Sequence, residues 1–165
     1  MKTNTKRIAA LALGISLAMI LSFVESQIPP LAAVPGVKIG LSNIVTVVLI
    51  YTYGWRDAGI VSISRIFLSA LLFGNAVALI YSLSGGALSF AAMLLAKRFL
   101  PFGTVGVSVL GGVMHNVGQV IAAMVVMESA GVAVYLVPLL VSGTVAGVAV
   151  GIAAGIIAKR TERFL

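Results

Sequence analysis

The chain has 165 residues, 61% of them hydrophobic and 9% charged, with a mean hydropathy of +1.18 and a formal net charge of +7. Soluble domains carry about a quarter charged residues, so this composition excludes one and points to a single small integral membrane domain spanning 1–165. The excess of Lys and Arg would suggest nucleic acid in a soluble chain; in an apolar one it serves membrane orientation and contact with anionic lipid headgroups, and no nucleic-acid partner is expected.

Nine of the 11 basic residues lie at the termini or in two short breaks: Lys2, Lys6, Arg7, Arg56, Lys97, Arg98, Lys159, Arg160 and Arg163. Because Lys and Arg are retained in the cytoplasm, these positions should share one face, which requires an even number of crossings between successive clusters.

The first apolar run, 8–24, carries no charge and at about 1.5 Å per residue is roughly 25 Å of helix, close to the hydrocarbon thickness. It is too long for most signal-peptide cores, and no A-x-A site closes it, so it reads as the first span. Ala10, Gly14 and Ala18 lie four residues apart along it. Such stripes let membrane helices pack closely, and on a peripheral first helix this one is expected to meet another membrane protein.

Glu25 to Lys38 contains Pro29, Pro30 and Pro35, which oppose a regular helix and favour extended backbone. The segment reads as an external lid or as an ordinary linker. The second span is expected over 39–54. Between Arg56 and Lys97 there is room for two spans, and a break at Gly74-Asn75 divides the stretch into 58–73 and 76–96.

Past Pro101 the same reasoning gives spans over 105–127 and 132–158, joined by Glu128-Ser129-Ala130-Gly131. The expectation is an all-α integral membrane protein of six transmembrane helices with both termini cytoplasmic, in the plasma membrane of a prokaryote. The last helix repeats Gly143, Gly147, Gly151 and Gly155, a face that suits either internal packing or a homo-oligomeric interface.

Polar residues inside the spans mark where chemistry could occur. Arg65 falls near the middle of the third helix, and a guanidinium at that depth is costly unless water or a partner compensates it. The chain has four acids, Glu25, Asp57, Glu128 and Glu162, none expected at membrane depth. An anionic ligand group, backbone carbonyls, or Glu25 folded inward are the alternatives. His115 and Gln119 lie one turn apart on the fifth helix with Asn116 beside them; they either join helices as polar glue or line a wet pocket.

Asn43, Asn75 and the Ser82, Ser84, Gly85, Gly86 segment add polarity to the external half, and the double glycine could unwind the fourth helix. A lone histidine without cysteine gives no metal site. With no close pair of acids to hold Mg²⁺, no phosphate-binding loop and no nucleophile triad, enzyme activity and autonomous ATP-driven transport are not expected.

Several blocks resemble one family: Pro35-Gly36-Val37-Lys38-Ile39-Gly40-Leu41-Ser42-Asn43, Tyr53-Gly54-Trp55-Arg56-Asp57-Ala58, Ser64-Arg65, Phe73-Gly74-Asn75, Ser84-Gly85-Gly86 and Gly111-Gly112-Val113-Met114-His115-Asn116-Val117-Gly118-Gln119. They look like the Gx transporter family, often labelled heptaprenyl diphosphate synthase component I. The chain is also similar in size and span count to the S components of energy-coupling-factor transporters.

That resemblance implies an S-component-like bundle that captures a solute outside and docks through Ala10, Gly14 and Ala18 onto a coupling protein with two cytoplasmic ATPases. The solute would be small, such as a vitamin or isoprenoid-pathway precursor, and anionic if it meets Arg65. Lys38 and Arg65 would neutralise it; Asn43, Asn75, His115, Asn116 and Gln119 would orient it. The family label implies an alternative, a non-catalytic membrane accessory subunit of a polyprenyl diphosphate synthase. No cofactor is implied.

Overall fold

A computed structural model describes residues 2–27 and 40–161. They form six α-helices: α1 (Lys2–Gln27), α2 (Asn43–Thr52), α3 (Trp55–Phe73), α4 (Ala76–Phe99), α5 (Thr104–Val126) and α6 (Leu136–Thr161), with a 3₁₀ segment over Ala130–Tyr135 before the last. Stretches 7–27, 76–99, 104–126 and 130–161 are each long and apolar enough to cross a bilayer, which marks a multi-pass membrane protein. The α3 helix has the length but carries Arg56, Asp57 and Arg65.

The local sequence explains the boundaries. Gly54, at φ +97°, turns the chain from α2 into α3 in a conformation that side chains disfavour. Gly74 is extended, and Asn75 caps α4 by accepting the Ala78 N–H at 2.8 Å, which satisfies one of the orphan donors of a helix start.

The α2 helix differs from the expected 39–54. It has ten residues, roughly 15 Å, about half the hydrocarbon thickness. Gly40 takes φ +77°, its N–H donates to the Glu25 carboxylate and its carbonyl accepts the Asn43 N–H, so the helix cannot extend back through it. Packed against α1, α3, α5 and α6, α2 sits at the centre of the bundle. This accounts for an apolar helix too short to cross by itself, with Val47 and Ile50 wholly buried.

One end of the bundle collects the basic side chains among the described residues, apart from Arg65. Arg7 on α1 donates through Nε to both Asp57 carboxylate oxygens at 3.0 Å, joining the N-termini of α1 and α3. Lys97 near the end of α4 donates to the Ile50 carbonyl at 2.6 Å and lies 4.5 Å from the Tyr51 ring centre. Gly151 and Gly155 of α6 abut Val105 and Thr104 at the start of α5, bringing Lys159 and Arg160 to the same end.

The dry core also lies toward this end: Val47, Ile50, Ala58, Val61, Met93, Val107 and Ala154 form one buried cluster. A cavity lies on the other side of this core.

Two small-residue expectations resolve inward. On α1, Gly14 faces Leu49 and Val61, at 3.4 and 3.5 Å from where its Cβ would stand, and Ala18 is 1% exposed. Thus Gly14 and Ala18 serve internal packing, while Ala10 is half-buried, and the outward face of α1 is instead Ile8, Leu13, Leu17, Ile20 and Phe23. On α6 the glycines seat α5: a Cβ at Gly147 would stand 2.6 Å from Val109 Cα, and one at Gly143 2.9 Å from the Gly112 carbonyl.

The Gly85-Gly86 pair does not unwind α4, which is continuous from Ala76 to Phe99. Gly85 and Gly118 instead let the backbones of α4 and α5 touch, a Cβ at Gly118 lying 2.6 Å from the Ser84 carbonyl. The intrahelical ladder persists because removing two side chains permits close approach without removing any donor.

Candidate functional site

The cavity, of about 190 Å³, is lined by all six helices. Ser22, Glu25 and Ser26 come from the end of α1, Ser42 and Asn43 from the start of α2, and Arg65, Ser69 and Phe73 from α3. Ala78 and Ser82 come from α4, Ser108, Gly112, His115 and Asn116 from α5, and Gly143, Ala146, Gly147 and Val150 from α6.

Arg65 is the central feature. It lies ten residues past Trp55 and eight before Phe73, so at about 1.5 Å per residue it sits near mid-helix. Its Nη1 donates to Ser42 Oγ at 2.9 Å. Nε is sealed from solvent without a hydrogen-bond partner among the described residues. A guanidinium has five N–H donors in a planar fork, and a single neutral hydroxyl leaves most of that capacity unused. Among the described residues the one ion pair is Arg7–Asp57 at the other end, so no carboxylate directly neutralises Arg65.

Of the expected site residues, Asn43, Arg65, His115 and Asn116 line this one cavity. Asn116 is 7% exposed and its Nδ2 donates to the Leu139 carbonyl, so part of its capacity ties α5 to α6. That contact depends on Gly143, where a Cβ would stand 2.6 Å from Asn116 Nδ2.

Two expected residues lie elsewhere. Asn75 is occupied as the α4 cap, and Gln119, one turn beyond His115, packs its Cγ against Gly85 where α4 crosses α5. His115, one turn before it on the same face, also sets its ring edge against Gly85, so it both lines the cavity and borders the α4 seam that holds Gln119. Lys38, and the proposed lid from residue 28 onward, lie outside the described residues.

Sequence reasoning missed the cavity hydroxyls Ser22, Ser42 and Ser108; Glu25, for which an inward fold was one alternative, lines the cavity wall. The one available signal was position: Ser42 directly precedes Asn43 and Ser22 lies one helical turn before Glu25. Among the described residues no three His, Asp or Glu side chains come together to hold a metal ion. The arrangement can bind a compact polar molecule, with one fixed positive charge surrounded by hydroxyl and amide groups.

The model of one protein family, described as heptaprenyl diphosphate synthase component I, matches residues 15–157. No curated protein and no solved structure matches the chain.

Proposed function

We propose that this chain, which belongs to the heptaprenyl diphosphate synthase component I family, is a non-catalytic membrane subunit that binds a small anionic molecule in the cavity around Arg65. The observation that carries this reading is a mid-helix guanidinium with one neutral partner, facing a cavity lined by Ser42, Ser69, His115 and Asn116. A carboxylate or phosphate would supply the bidentate acceptor that the described residues do not.

In the uptake form of the proposal, the solute enters from the face away from the basic end. A coupling protein with two ATPases, as in S-component systems, supplies the energy. Gly14 and Ala18 are spent inside the bundle, so the coupling surface would be the lipid-facing side of α1 or the basic end. In this proposal the chain crosses six times with the basic end cytoplasmic, the ten-residue α2 supplying only about half the hydrocarbon thickness of its crossing.

The native chain lacks cysteine, which makes single-cysteine reporters clean. Cysteines at Arg98 and Lys159 should react with an impermeant maleimide only in inverted vesicles, and one at Glu128 only in right-side-out vesicles. Labelling of Arg98Cys and Lys159Cys from opposite faces would refute the topology.

The family's description favours a second reading for the partner, a polyprenyl diphosphate synthase that this chain anchors or regulates. The two readings separate in one experiment: mild solubilisation of native membranes, affinity capture of the chain, and mass spectrometry of co-eluting proteins. A coupling protein with paired ATPases supports uptake. A soluble synthase in constant ratio, without ATPases, supports the accessory role.

A further inference from the structure

The cavity wall carries two opposite charges that do not meet. Arg65 projects from the middle of α3, and Glu25 stands in the last turn of α1; both line the same space, yet no ion pair joins them. Opposite charges in a low-dielectric cavity attract strongly, and a pair meant only to neutralise itself would close to contact. Each is instead held by a neutral group of its own: Arg65 by the Ser42 hydroxyl, Glu25 by the Gly40 backbone N–H.

Glu25 is also poorly placed for stability. A carboxylate in the final turn of a helix faces the negative end of the helix dipole, and among the described residues it has one backbone donor, which leaves most of its acceptor sites unfilled. A cation would relieve both costs, and among the described residues no Lys or Arg other than Arg65 lines the cavity. The hydroxyl-bearing residues Ser22 and Ser69 line the same cavity.

We infer that the solute is dipolar, carrying an anionic group that binds Arg65 and a cationic nitrogen that binds Glu25. This rests on the anion-binding reading above and narrows it to a class, compact amino acids and other zwitterions. A purely anionic solute would meet attraction at Arg65 and repulsion at Glu25. A dipolar one is favoured at both ends, and the site thereby rejects simple acids and simple amines alike.

The test uses the full chain in lipid nanodiscs and isothermal calorimetry with three probe series of increasing chain length: straight-chain ω-amino carboxylates, the matching alkyl carboxylates, and the matching alkylamines. Varying the length covers the separation of the poles. At the best length the amino carboxylate should bind at least about tenfold tighter than the carboxylate of equal length, the scale of one charge-assisted contact. Glu25→Gln retains an oxygen for the Gly40 N–H, so the fold is kept. It should erase that advantage while leaving the simple carboxylate as tight or tighter.

If simple carboxylates bind best and Glu25→Gln weakens nothing, the dipolar assignment is wrong while the anion site stands. If no member of any series binds to folded protein, both the dipolar assignment and the anion site fail.

Discussion

Arg65→Ala is expected to lower affinity for the bound solute by roughly tenfold to a hundredfold, the equivalent of about 1.5–3 kcal/mol for charge-assisted hydrogen bonds. The protein itself should remain folded and be as stable as wild type or more so. A guanidinium at membrane depth costs several kcal/mol on the order of a helix-centre charge, and the Ser42 hydroxyl together with attraction to Glu25 across the cavity returns only part of that cost. Deleting it therefore removes a burden from the empty protein and a contact from the loaded one.

Opposite signs for stability and affinity are what a binding role requires. Were Arg65 a structural strut, the same change would reduce both, because Ser42 and its neighbours would lose their anchor. Thermal unfolding in detergent, read beside calorimetry of the retained solute, distinguishes the cases. A large fall in unfolding temperature without a change in affinity would falsify the pocket assignment.

Gly147→Leu should be among the most damaging single changes in the bundle. A Cβ there already stands 2.6 Å from Val109 Cα and 3.0 Å from the Ser108 carbonyl, both backbone atoms that cannot turn aside. Overpacking of ordinary cores costs about 1–3 kcal/mol; a branched side chain driven into a backbone crossing should cost about 3 kcal/mol or more. Gly147 also lines the cavity, so binding should fail with the fold.

Gly155→Ala supplies the contrast. Its Cβ would meet Thr104 Oγ1 at 2.6 Å, a rotatable hydroxyl that can move away, and alanine favours the helix by about 1 kcal/mol over glycine. Near-neutral stability is expected. A homo-oligomer built on the glycine face predicts another outcome, in which Gly147→Leu yields a stable, folded monomer. Size-exclusion chromatography with unfolding curves for both variants decides between them.

How far the sequence could be read depended on the kind of feature. Arg65 was visible because a charge within an apolar run is anomalous whatever surrounds it. The break at Gly74-Asn75 was visible because an extended glycine and a capping asparagine act on their own neighbours. Ser22 and Ser42 were not, since serine is common in membrane helices and only the neighbouring helix decides whether its hydroxyl meets a cavity or its own backbone. Gly14 and Ala18 had the spacing of a close contact, but the same four-residue repeat serves an internal seam and an external one equally well.

The chain's own composition determined an all-helical membrane protein whose basic residues gather at one end, because hydropathy and charge act on each segment separately through the bilayer. Tertiary structure alone decided the rest. The rotation and close approach of neighbouring helices turned Gly14 and Ala18 inward, left α2 as a ten-residue central helix, moved Gln119 to the α4 seam, and brought Glu25 into the same cavity as Arg65. These outcomes depend on which faces meet, and a face acquires its meaning only when the opposing helix is in place.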